Sequence, residues 1–317
     1  MKAMVLLLVL SVFAAGKEIS YDPASKDGEF ETELTEFRYT DREVPLKVYL
    51  PEKKPAPVIL LSHGLGGSRE VGTYLGEYWA ARGYVVVAMQ HAGSDESVWK
   101  DVPRARRLAA AKEAANGETF LDRMRDVPAT LDQLEKWNAQ KGHFLKGRMD
   151  LEHIGMAGHS YGAVTTQAVC GQVFGIAGAK FADSRIDAGL ALSPSPPNFG
   201  DAAKAFGQIT LPMMLMTGTE DRSVVGRTTP ESRREVYPAL PDGSKYELVL
   251  KDAEHMAFSD RTLRGAEQRN PEHHKVILAL STAFWDAYLK EDPAARKWLD
   301  GKTPSSILAE DDIWQRK

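Results

Sequence analysis

Hydrophobic and polar positions follow two patterns along this chain. Residues 57–64, "PVILLSHG", and 83–91, "GYVVVAMQH", are short and almost continuously apolar. Runs of that kind suit strands buried on both faces of a parallel sheet. Between them "REVGTYLGEYWAARG" (69–83) has helical spacing and closes on Gly83, a helix stop, so the three segments predict a βαβ unit. Strand-like runs recur at 150–160, 186–195, 211–221 and 245–255. Ahead of them, the alternating segment 30–40 and the segment 44–51 read as two antiparallel strands. Helices are predicted over 119–140, 161–175 and 273–290, with a further turn or two at 295–301. In the first of these, Leu121, Met124, Val127, Leu131 and Leu134 recur near helical period, and Pro128 is expected to kink or break it. Residues 92–118 are polar and charged, a loop and helix over the sheet edge. Strands alternating with helices predict an α/β fold: a mostly parallel sheet covered on both faces.

The chain has 317 residues, which an α/β fold can use as one domain, and no repeat, low-complexity tract or linker divides it. The first twenty residues, "MKAMVLLLVLSVFAAGKEIS", have a different character. Lys2 precedes an apolar run from Ala3 to Ala15, and Ala14 and Gly16 fit a cleavage site. The run is shorter than the roughly 20 residues of a spanning helix. A signal peptide over 1–16 is therefore expected, followed by a catalytic domain over 17–317 and a secreted or periplasmic location. A net charge of −4 without a basic tail gives no reason to expect nucleic acid as a partner. Cys170 is the one cysteine, so no intramolecular disulfide forms. The eight histidines include no metal-binding helical pair. His273 and His274 are adjacent, point about 100° apart on a helix, and read as solvated helix-start residues. No metal or cofactor is called for.

The candidate chemistry centres on "GHSYG" (158–162), which falls between a predicted strand and a predicted helix. That is the setting of a nucleophile elbow, where a sharp turn strains Ser160 and requires small residues at Gly158 and Gly162. A serine needs a base, and the base an acid. In the order Ser, acid, His, the strand 211–217 is followed by Glu220 and Asp221, and the strand 245–250 by His255. Asp221 is preferred to Glu220 because the shorter side chain holds an imidazole more rigidly. The oxyanion needs two donors. One is the backbone N–H of Tyr161, next after the nucleophile. The second comes from the glycine-rich loop "SHGLGG" (62–67).

In "PVILLSHGLGG" (57–67), "ARGYVVVAMQHAGSD" (81–95), "GRMDLEHIGMAGHSYGA" (147–163) and "AEHMAF" (253–258), the chain resembles the α/β-hydrolase superfamily. More narrowly, it is similar to plasma-type platelet-activating-factor acetylhydrolases and predicted dienelactone hydrolases. The resemblance spans most of residues 45–290. It implies a nucleophile at Ser160, an acid at Asp221, a base at His255, and oxyanion amides at Leu65 and Tyr161. Dienelactone hydrolases use a cysteine where this chain has Ser160, which argues against their substrate. The expected activity is hydrolysis of small carboxylic esters, with short acyl chains. An amidase or peptidase on the same triad is the alternative. So is a phospholipid-type acetylhydrolase at a lipid surface, docked through residues 98–115, where Trp99 and Val102 neighbour Arg104, Arg106 and Arg107.

Overall fold

A computed structural model describes residues 21–25, 28–260 and 270–317. The signal peptide expected over 1–16 lies outside the described residues. Nine strands are seen among them: β1 (Phe30–Tyr39), β2 (Arg42–Pro51), β3 (Ala56–Ser62), β4 (Val85–Met89), β5 (Met149–His159), β6 (Ala188–Leu192), β7 (Met213–Glu220), β8 (Lys245–Glu254) and β9 (Ile313–Arg316). They form one sheet in the order β1-β2-β4-β3-β5-β6-β7-β8-β9. From β4 to β8 all neighbours are parallel, while β1, β2 and β9 pair antiparallel at the two edges. This is the α/β-hydrolase architecture.

The continuous apolar runs are buried on both faces, as a parallel sheet demands. Val58 and Leu60 of β3 face one core cluster with Met124, Val127, Leu131 and Leu134 of the helix Gly117–Ala139. Ile59 and Leu61 face the other, with Trp79 of the helix Thr73–Ala81 and Ile277, Leu280, Phe284 and Trp285 of the helix Pro271–Tyr288. The period-two alternation within one strand thus serves two cores.

Two expectations are corrected. Of the kink or break expected at Pro128, the break does not occur: one helix spans Gly117–Ala139. An internal proline costs about 3 kcal/mol. Breaking the helix would expose Val127, Leu131 and Leu134, each stabilising by roughly 1.5–3 kcal/mol when buried, so continuity wins. His273 is buried and His274 half-buried, rather than both being solvated. His273 Nε2 lies 3.1 Å from the Lys251 carbonyl and His274 Nε2 3.1 Å from the Ala257 carbonyl. The His274 ring also stacks on Tyr74, with centroids 4.0 Å apart. The pair ties the start of its helix to the segment around His255. The edge strand β9 and the short helices Ala202–Phe206, Pro230–Arg233 and Val236–Ala239 have no counterpart among the predicted elements.

Candidate active site

Ser160 stands where β5 ends and the helix Tyr161–Val169 begins, with φ 57° and ψ −113°. A non-glycine residue so held stores about 1–3 kcal/mol of strain, which the surroundings must over-determine. They do. The Ser160 amide donates to the Leu192 carbonyl at 2.9 Å, and its own carbonyl accepts from Ala163 at 2.9 Å. The glycines are sterically required. A Cβ on Gly158 would lie 2.2 Å from the Gly162 oxygen, and one on Gly162 would lie 1.9 Å from the Ser62 oxygen.

The structure brings Ser160, His255 and Asp221 together. His255 begins the single helical turn after β8, and its Nε2 lies 2.9 Å from Ser160 Oγ. Its Nδ1 lies 2.7 Å from Asp221 Oδ1, just past β7. An ionised Asp221 only accepts, so Nδ1 carries the proton and Nε2 is free to accept from the serine hydroxyl. Asp221 Oδ2 accepts from the Thr217 hydroxyl at 3.0 Å. Burial alone would raise the Asp221 carboxyl. The hydrogen bond and charge of His255, with the charge of Arg233, outweigh it and hold the group below the ordinary carboxylate range. Glu220, the alternative acid, is exposed in β7 and pairs in register with Glu254.

Sequence reasoning missed Arg233. Its Nε lies 2.9 Å from Asp221 Oδ1 and donates to the Asp221 carbonyl at 2.8 Å. A terminal nitrogen donates to the carbonyls of Ser193 and Pro194 at 2.9 and 2.8 Å. Nothing local in "ESRREV" marks the residue, because its partners come from two other strand ends. His159 was also passed over. Burial, aided by the charge of His255, lowers it to about 3, so it is neutral, and its Nε2 lies 3.0 Å from the His255 carbonyl. Its signal was its place inside the elbow motif.

Leu65 and Tyr161 sit on the two segments that flank Ser160. The Ser62–Gly67 loop lies against the serine, since a Cβ on Gly64 would be 3.3 Å from the Ser160 Cβ. Gly66 has another reason to be small: its φ is 71°, and a Cβ there would be 2.9 Å from Trp99. Trp99 therefore packs inward, its Nε1 donating to the Gly66 carbonyl at 2.7 Å. In the segment 98–115, Leu108 is the large apolar residue that stands exposed. Among the described residues the amides of Leu65 and Tyr161 donate to no protein acceptor. For Tyr161 this follows from its place as first residue of the helix.

A second serine–histidine–aspartate chain lies beneath that loop. Ser62 Oγ is 2.9 Å from His91 Nε2, and His91 Nδ1 is 2.9 Å from Asp126 Oδ2. Distances do not distinguish it from the first chain, but burial does: Ser62 is 1% exposed and His91 0%. Asp126 is also held by Arg42 and Tyr39. Burial lowers His91 to about 4, so the ring is neutral. No substrate reaches Ser62, and this network braces the loop above it.

The family model of platelet-activating factor acetylhydrolase, isoform II, matches residues 30–119. That stretch includes Leu65 and ends before Ser160. A ferulic acid esterase from Streptomyces cinnamoneus shares the fold with a TM-score of 0.61 at 19% identity, covering 94% of this chain and 99% of that one. Among curated proteins, none matches the chain.

Proposed function

We propose that this α/β-hydrolase is a serine esterase whose nucleophile, base and acid are Ser160, His255 and Asp221. The observation that carries the reading is the unbroken contact from Ser160 Oγ through His255 to the buried Asp221, at 2.9 and 2.7 Å. His255 Nε2 takes the hydroxyl proton as Ser160 Oγ attacks the ester carbonyl. The tetrahedral oxyanion is held by the amides of Leu65 and Tyr161. The carbon–oxygen bond to the alcohol then breaks, and His255 returns the proton to the departing alkoxide. Water, deprotonated by His255, attacks the acyl-enzyme. Its hydroxide oxygen ends in the carboxylic acid, and the proton goes back to Ser160. Asp221 fixes the imidazole tautomer and offsets the charge of the imidazolium.

The match to an acetylhydrolase family supports an ester with a short acyl chain. The named activity of the fold neighbour, on an aromatic acid ester, supplies the competing case. Hydrolysis of p-nitrophenyl acetate, butyrate, octanoate and ferulate tests both. Turnover is expected to be highest for acetate or butyrate and abolished by Ser160→Ala. Equal turnover in the wild type and that variant contradicts the reading. Export through residues 1–16 belongs to the same proposal, and mass spectrometry of the exported chain checks it. The expected mature N-terminus is Ala15 or Lys17, and a retained Met1 contradicts it.

A further inference from the structure

Behind the loop that carries Leu65 lies a buried cation with no carboxylate on it. Arg123, on the helix Gly117–Ala139, is 0% exposed. Its Nε donates to Ser94 Oγ at 2.8 Å. One terminal nitrogen donates to the His63 carbonyl at 2.8 Å and to Ser62 Oγ at 3.3 Å, and the other lies 3.3 Å from His63 Nδ1, a contact rather than a hydrogen bond once Nδ1 carries the ring proton. The guanidinium carbon lies 4.4 Å from the centre of the Tyr161 ring. The nearby acid, Asp126, is occupied by Arg42 and His91 instead. Burial lowers the guanidinium to about 10, against the pull of Tyr161, Asp126 and Asp95, so it stays cationic at neutral pH.

An ionised group buried without a counter-ion is costly, and apolar residues of similar volume often serve stability better. The account of Arg123 therefore lies in what it touches. Apart from Ser94, those contacts lie on the two segments whose amides flank Ser160. On the Leu65 side the chain of contacts is continuous. The His91 amide donates to His63 Nε2 at 3.0 Å, which puts the His63 proton on Nδ1. Nδ1–H then donates to the Gly64 carbonyl at 2.6 Å, and the Gly67 amide donates to the same oxygen at 3.0 Å. That carbonyl belongs to the peptide unit whose N–H is Leu65, so the donor is held from its far side. Arg123 holds the His63 carbonyl, one peptide earlier. On the other side, the guanidinium lies against the ring of Tyr161, whose N–H is the second donor.

We propose that Arg123 is a positioning residue of the oxyanion site. It locks the His63–Leu65 and Tyr161 segments in register and sets a positive charge behind the two amides that receive the oxyanion. The proposal rests on the Ser160 esterase reading above. Such a charge acts on the tetrahedral state, which is anionic, far more than on the neutral bound ester.

The test compares Arg123→Gln, Arg123→Lys and Arg123→Met with the wild type on p-nitrophenyl acetate. Inhibition by a trifluoromethyl ketone, which forms a tetrahedral oxyanion on the serine, is measured alongside. Losing a direct oxyanion donor costs about 10²–10³ in kcat, so an indirect support is expected to cost roughly 10–100-fold. Arg123→Gln should lose that much kcat with KM changed less than about threefold, and its ketone Ki should weaken by the same factor. Arg123→Lys should recover about tenfold over the glutamine variant. If Arg123→Met does not fold, the Gln and Lys variants decide. Three outcomes overturn the proposal: kcat of Arg123→Gln within about threefold of wild type, a ketone Ki that does not follow kcat, or a lysine variant no better than glutamine. A wild type that hydrolyses no ester is a different failure, that of the esterase reading itself.

Discussion

Ser160 Oγ and His255 Nε2 lie 2.9 Å apart although 95 positions separate them in the chain. Sheet order explains the meeting. β5 and β8 run parallel with β6 and β7 between them, so all four release their chains at one edge. Ser160 and His255 follow β5 and β8 there, with Asp221 after β7 between them. Open α/β sheets bind ligands at that carboxyl edge.

The choice of acid follows from that edge. Asp221→Asn keeps the shape but reverses the hydrogen-bond role facing His255 Nδ1, and kcat should fall by about 10³–10⁴. Glu220→Gln should stay within about twofold of wild type, because Glu220 is exposed and the carboxylate on His255 Nδ1 is that of Asp221. Steady-state kinetics of the two variants decide it. A crippling loss in the Glu220 variant alone would reverse the assignment.

Arg233 is 2% exposed and Asp221 0%, so their pair is desolvated. Arg233→Met leaves the carboxylate with less compensation and strands the Ser193 and Pro194 carbonyls. Removing one partner of a buried pair typically costs about 3–5 kcal/mol. Urea denaturation should show a large drop in midpoint, and an unchanged midpoint would refute the structural weight given to this arginine.

At the elbow, Gly162→Ala must move backbone, since its Cβ would overlap the Ser62 carbonyl. The variant should be inactive or insoluble. Gly117→Ala is the control: nothing lies within 4 Å of its added Cβ, at the start of a helix. It should be at least as stable as wild type, by up to about 0.5–1 kcal/mol. Melting temperatures of the two proteins test the contrast.

Acid stability follows from the buried neutral histidines. His91 and His159 are lowered to about 4 and about 3 in the folded chain, while an unfolded histidine sits near 6.5. Between those limits the unfolded chain binds more protons, so unfolding free energy falls as pH falls, by about 1.4 kcal/mol per unit per histidine. His143, also lowered by burial, adds to this, while His153, raised by its hydrogen bond to Asp150, and Glu247 and Asp187, raised by burial, oppose it. The depressed Asp126 and Asp221 add their loss only when pH falls through and below the ordinary carboxylate range. Urea midpoints should decline from pH 6.5 to pH 4.5, and a flat profile there would contradict the neutral histidines.

Much of this was legible in the sequence because buried parallel strands are short apolar runs and the elbow is a local motif. The positions of Ser160, Asp221 and His255 needed only strand order and the residues that follow each strand. Pro128 misled because local cost was weighed without the apolar side chains its helix buries. β9 was invisible because a four-residue edge strand, half exposed, carries no periodic signal. Arg123 and Arg233 were hidden for a common reason. A charged residue reads as solvated until the fold shows what surrounds it, and both are buried by contacts far away in sequence.

The central claim is that Ser160 is the nucleophile, and covalent labelling tests it most directly. A fluorophosphonate probe followed by peptide mass mapping is expected to place one adduct, on Ser160. Labelling should disappear in Ser160→Ala and drop sharply in His255→Ala, while Ser62→Ala should be labelled on Ser160 if folded. An adduct on another serine, or undiminished labelling of Ser160→Ala, would contradict the account.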